Sequence, residues 1–121
     1  RVFTRQLLPL LPGQPGELLF VEDMTRNGLN LYLDTHIERL SFKPMPHMLS
    51  DSSYDHTLAE ELAGTDTERV FIMKTEVEQY FLNAASEARV VPIKLGTLPH
   101  IRGDSERDRV VYTLQGDFPA K

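Results

Sequence analysis

Four histidines (His36, His47, His56 and His100) and 18 acidic side chains are this chain's means of holding a metal or moving a proton. Metal sites usually draw on ligands at compatible spacings along one element. The one tight grouping is Asp51, Asp55 and His56. It lies in a serine-rich connection and at a predicted helix start, where capping and solvation account for all three. Neither a metal nor a cofactor is expected on these grounds. The absence of cysteine excludes a thiol nucleophile, and Ser41, Ser50, Ser52 and Ser53 lack the sequence of a nucleophile elbow. The pairs Glu60 with Glu61 and Glu76 with Glu78 resemble acid–base couples in spacing, but both fall on predicted helices rich in polar residues and read as solvated faces. No residue is assigned a catalytic role.

Ligand binding offers a second kind of chemistry. A dinucleotide-binding loop needs glycines directly after its first strand, so that backbone amides can approach a pyrophosphate. The corresponding turn here reads VEDMTRNG, in which Glu22 and Asp23 would repel phosphate. In open α/β sheets, ligands bind beyond the carboxyl ends of the strands. Those ends carry Thr25, Arg26 and Asn27 after the first predicted strand, and Lys74 and Thr75 after the third. These five are the candidate ligand-binding residues. Arg26 and Asn27 suit a polyol or an anion. The run RGDSERDR from Arg102 to Arg109 mixes signs and reads as a charged hairpin loop.

The elements that would position these residues follow from apolar spacing. Val2, Phe3, Leu7, Leu10 and Leu11 recur near helical period, with Pro9 limiting the helix, and Pro12, Gly13, Pro15 and Gly16 open a loop. Leu18 to Val21 is a continuous apolar run, the mark of a strand buried on both faces. A helix capped by Asp23 or Thr25 is expected next, with Met24, Gly28, Leu31 and Tyr32 on one face. Ile37 to Phe42 reads as a second strand nearer an edge, and Lys43 to Asp55 as a long irregular connection.

A helix through Leu58, Ala59, Leu62 and Ala63 is predicted, capped by Asp55 or Ser53 and ended by Gly64. Arg69 to Met73 is the expected centre of the sheet. Thr75 and Glu78 have the spacing of a capping box, opening a helix that buries Val77, Phe81, Ala84, Ala85 and Ala88 with Tyr80 at its margin. Val90 to Leu95 is a strand that Pro92 places at an edge or a bulge. Arg109 to Leu114 alternates as an antiparallel strand with one solvated face. The expected fold is α/β: a small three-layer sandwich whose mostly parallel sheet of about five strands ends in an antiparallel C-terminal edge strand. Leu19, Val21, Val70, Ile72 and Val91 should form the sheet's core.

At 121 residues the chain is expected to be one domain with its own core. A net charge of −5 argues against nucleic acid as a partner, because such binding works through phosphate neutralisation. No apolar run approaches the roughly 20 residues of a membrane helix. The chain begins at Arg1 without methionine or signal peptide, and is expected to be a fragment of a longer protein.

ELLFVED, then GLNLYLDTHIERLSF, then FIMKTEVEQYF give a more specific pointer. The pattern resembles the soluble C-terminal region of bacterial polytopic glycosyltransferases of the protein mannosyltransferase and aminoarabinose (lipid A) transferase type. The matching residues are Gly28, Leu29, Tyr32, Leu33, Ile37, Glu38 and Arg39, with Val70 to Phe81 further on, and the likeness spans about two-thirds of the chain. The resemblance implies a polyprenyl-phosphate sugar donor and catalytic carboxylates in the membrane portion of the polypeptide. It carries no catalytic residue onto this chain. It implies a domain on the periplasmic or extracytoplasmic face of the inner membrane, tethered by helices outside this segment. Its partners would be the membrane-embedded portion and a glycan or lipid-linked acceptor. The competing expectations are a small sugar- or nucleotide-binding regulatory module and a small hydrolase. A soluble domain upstream of Arg1 would favour the regulatory module. The missing nucleophile, base and metal ligands weigh against a hydrolase.

Overall fold

The computed structural model describes residues 2–22, 35–42, 54–98 and 108–118. The helix expected after Asp23, most of the connection from Lys43 and most of the charged loop from Arg102 lie outside them. Helix α1 (Val2–Leu7) runs into a 3-10 turn (Leu8–Leu10). Strands β1 (Glu17–Val21), β2 (His36–Ser41) and β3 (His56–Thr57) follow, then helix α2 (Leu58–Ala63) and strand β4 (Arg69–Lys74). A 3-10 turn (Thr75–Val77) leads into helix α3 (Glu78–Glu87), and strands β5 (Pro92–Leu98) and β6 (Arg109–Leu114) complete the order.

These strands form one six-stranded sheet in the order β3-β2-β1-β4-β6-β5. β1 is parallel to β2 and β4, β2 is parallel to β3, and β6 is antiparallel to both β4 and β5. The sheet is therefore mostly parallel with an antiparallel pair at one edge. β1 and β4 are continuous apolar runs because both of their faces are covered. Leu18, Phe20, Val70 and Ile72 pack with Leu7 of α1 on one side. Leu19, Val21, Phe71 and Met73 pack with Leu58, Leu62 and Phe81 of α2 and α3 on the other. The result is the expected three-layer α/β sandwich.

Several local expectations are corrected. The N-cap of α2 is Thr57, whose hydroxyl accepts from the Glu60 amide while the Glu60 carboxylate accepts from the Thr57 amide. Asp55 instead accepts from the Arg39 amide and helps pin β3 to β2. A two-residue strand is too short for any periodicity to announce. Gly64 does close α2.

The Thr75–Glu78 capping box does not form. Thr75 already belongs to the 3-10 turn, and Glu78 spends its carboxylate on Tyr112 and Lys94. Of the face expected to be buried there, Phe81 and Ala85 on α3 are buried, Ala84 and the preceding Val77 are partly so, and Ala88, just past the helix, is exposed.

β5 is the outermost strand, as Pro92 implied, with an irregularity in register between Lys94 and Gly96. Val91, expected in the core, is 53% exposed just before this edge strand begins. β6 lies inside β5 and is buried on both faces. Val111 packs with Leu7 and Leu98, and the Thr113 hydroxyl is satisfied by donating to the Arg69 carbonyl at 2.7 Å. Alternation misleads here because a threonine with a backbone acceptor can be buried at little cost.

Tyr112 ties α3 to the sheet. Its hydroxyl donates to Glu78 Oε2 at 2.5 Å, and Lys94 Nζ stands 3.0 Å from the same oxygen. Burial, followed by the hydrogen bond and charge of Glu78, pushes the Tyr112 phenol up to about 12. The folded state thus holds this proton more tightly than the unfolded chain. Its contribution is complete below pH 10 and disappears as pH rises from about 10 to 12. Tyr112→Phe should cost about 1.5–3 kcal/mol at neutral pH, the scale of a hydrogen bond to a charged group. Urea unfolding should show the variant losing less stability than the parent across the alkaline window. Identical slopes would mean that Tyr112 is not the group responsible.

Candidate functional site

The carboxyl ends of the strands, where ligand-binding residues were expected, are only partly described. Thr25, Arg26 and Asn27 lie outside the described residues. Lys74 is half-buried at the end of β4, and Thr75 is exposed, its amide donating to the Asp108 carbonyl. Glu22, at the end of β1, turns with φ 53° and uses its carboxylate to accept from the Phe42 amide at 2.8 Å. It serves the backbone there and is committed.

Charge converges instead at the opposite, amino end of the sheet. Register places Glu17 of β1 beside His36 of β2 and Arg69 of β4, and Leu19 beside Glu38. Residues two apart on a strand share a face. Glu17, Glu38 and Arg69 therefore continue, toward the amino end, the same face that buries Leu19, Leu40 and Phe71 under α2 and α3. His56 of β3 and Glu61 of α2 close over it.

Buried contacts anchor the cluster. Arg69 is 4% exposed and makes a two-pronged contact with Asp117, Nε to Oδ2 at 2.9 Å and Nη2 to Oδ1 at 3.2 Å. Its Nη1 donates to the Glu61 carbonyl at 2.8 Å and to Glu61 Oε2 at 3.2 Å. Burial opposes the guanidinium charge, but the hydrogen bonds and charges of Asp117 and Glu61 outweigh it and raise the pKa. Glu61 sits on the apolar stripe of α2 between Leu58 and Leu62, and its other oxygen meets His56 Nε2 at 2.7 Å. His56 Nε2 also lies 3.5 Å from Glu38 Oε1, and His36 Nε2 lies 3.0 Å from Glu38 Oε2. Desolvation works against a charge on His56, yet the Glu61 hydrogen bond and the carboxylates of Glu38, Glu61 and Glu60 raise its pKa.

The carboxylates gathered here outnumber Arg69, the fixed positive charge among them. Glu17 responds most: burial first, then Glu61, Glu38 and Asp66, push its carboxyl up to about 7. Glu17 Oε1 and Glu38 Oε1 are enclosed and accept no hydrogen bond among the described residues.

Spacing along the chain did not reveal this cluster, because its members come from β1, β2, β3, α2, β4 and the turn after β6. Two signals were present. His36 and Glu38 are two apart, with Glu38 in a predicted strand and His36 immediately before it. Glu61 falls on the same helical stripe as Leu58 and Leu62, where a carboxylate needs a partner. Among the described residues, no helix is long and apolar enough to cross a membrane. Compared with protein-family models, curated proteins and solved structures, the chain matches none of them.

Proposed function

We propose that this chain is an accessory, extracytoplasmic domain of a bacterial membrane glycosyltransferase that uses a polyprenyl-phosphate sugar, and that it is not catalytic by itself. One observation carries the reading. The residues that resemble such transferases run from β1 through the connection to β2, which are adjacent parallel strands in register from Glu17 and His36. The described part of the resemblance thus falls on neighbouring strands, with its later stretch, Val70 to Phe81, running from β4, which also pairs with β1, into α3. Parallel neighbours require a crossover of a dozen or more residues, and the Gly28–Leu33 pattern occupies that interval. Ile37 of the pattern packs against the α1 side of the sheet.

On this reading the membrane-embedded part of the same polypeptide supplies the base that activates the acceptor and the groups that stabilise the departing phosphate. The present domain positions a glycan or lipid-linked acceptor beside it. The test compares the whole transferase with a version lacking these 121 residues, both inserted in membranes and supplied with polyprenyl-phosphate sugar. Acceptor glycosylation should fall strongly in the truncated form, and the isolated domain should turn over no donor. Unchanged transfer by the truncated enzyme would refute the proposal, as would donor turnover by the isolated domain that one point mutation abolishes.

A further inference from the structure

The carboxylates and imidazoles at the amino end of the sheet are arranged as a donor set. Glu17, His36 and Glu38 place ligand atoms within 4.8 Å of one another, as do Glu38, His56 and Glu61, and also Glu17, Glu61 and Asp66. Glu17, Glu38 and Glu61 are therefore pairwise neighbours, and His56 adjoins two of them. We propose that Glu38, His56 and Glu61 bind one divalent first-row transition ion of the zinc type, with Glu17 and His36 at the rim.

Four observations carry this further than a group of acids would. First, the set contains an imidazole nitrogen as well as oxygens. That selects zinc-type ions over magnesium or calcium, which favour all-oxygen shells. Second, Glu17 Oε1 and Glu38 Oε1 are enclosed without any hydrogen-bond donor among the described residues. Such oxygens are costly unless a cation faces them, and Glu38 Oε1 faces His56 Nε2 at 3.5 Å. Third, the geometry is close to that of a coordination shell. Donors bound at about 2.0–2.2 Å around a tetrahedral ion are about 3.3–3.6 Å apart. The 3.5 Å separation of His56 from Glu38 falls within that spacing, and the 2.7 Å hydrogen bond from His56 to Glu61 is shorter than it. Fourth, Glu61 is pre-oriented. Its side chain is 3% exposed and Arg69 holds Oε2, which leaves Oε1 directed at His56. Outer partners of this kind commonly fix a metal-binding carboxylate.

The ion would take the place of the His56–Glu61 hydrogen bond and join β2, β3 and α2 at one point. This proposal is independent of the glycosyltransferase reading, since it concerns only the chain's own side chains. The test uses the 121-residue chain, stripped with a chelator and titrated with Co2+, with Zn2+ added afterwards. One equivalent should produce a saturable visible absorption band that Zn2+ then bleaches, and the unfolding temperature should rise with either ion. Glu38→Gln should weaken Co2+ binding about tenfold or more, and Glu17→Gln, at the rim, by less. Glu87→Gln, on the exposed end of α3, should leave it unchanged. Circular dichroism would verify that each variant folds. If His56→Gln fails to fold, the parent and Glu38→Gln still decide. A folded parent with no saturable Co2+ band would overturn the proposal, as would unaltered affinity in Glu38→Gln.

Discussion

Replacing Phe81 with alanine should lower the unfolding free energy by about 3–5 kcal/mol, the range for deleting a fully buried aromatic ring. Phe81 has no exposed surface, and its ring centroid lies 5.3 Å from that of Phe71 and 5.2 Å from that of Tyr112. The side chain is where α3 meets both β4 and β6. The alanine variant would lose apolar burial and also two tilted ring contacts, with no neighbour free to fill the space. Small domains have only about 5–15 kcal/mol in total, so the variant should unfold at a much lower urea concentration. Phe71→Ala, in the middle of the same cluster, should behave alike. A loss below about 1 kcal/mol for both would mean that α3 does not pack on this face.

Arg69→Met should be as damaging, by a different route. Methionine keeps most of the buried stem but leaves Asp117 and Glu61, which are 6% and 4% exposed, without the cation that compensates them. Removing one partner of a buried ion pair costs about 3–5 kcal/mol, mainly because the other charge stays behind. The contact also joins distant parts of the chain, since Asp117 accepts from both the Arg69 amide and its guanidinium. Combining Arg69→Met with Asp117→Leu should recover part of the loss, because an apolar replacement removes the stranded charge. Urea unfolding of the single and double variants checks this. Strict additivity of the two changes would show that the pair is not coupled.

Arg69 also links stability to the proposed metal site. It orients Glu61, so Arg69→Met should disturb the cluster as well as the core. The Gln variants of Glu17 and Glu38 are the cleaner probes, since neither residue contacts Asp117 in the arrangement described above.

The sequence by itself determined the layers. Leu18 to Val21 and Val70 to Met73 are apolar without alternation, and only strands covered on both sides make such runs stable. Pro92 placed its strand at the edge, because a residue without an amide cannot join a ladder on that side. What periodicity could not reach was anything decided by a distant partner. The burial of Thr113 depends on the Arg69 carbonyl, and Glu78 left its capping role for Tyr112 and Lys94. The strand His56–Thr57 exists because Leu40 and Ser41 lie beside it.

The charged cluster is the strongest case. His56 and Asp55 read locally as the start of a helix. Glu60 and Glu61 read as a solvated pair, yet Glu60 caps α2 while Glu61 is buried against Arg69. Neighbours in sequence on a helix face different directions, so their spacing could not separate these roles. Glu17 and Glu38, 21 positions apart, meet only because β1 and β2 are parallel and in register. Local spacing determines which elements form and which faces they bury. Strand order and register decide which polar side chains meet, and that juxtaposition is a property of the tertiary structure alone.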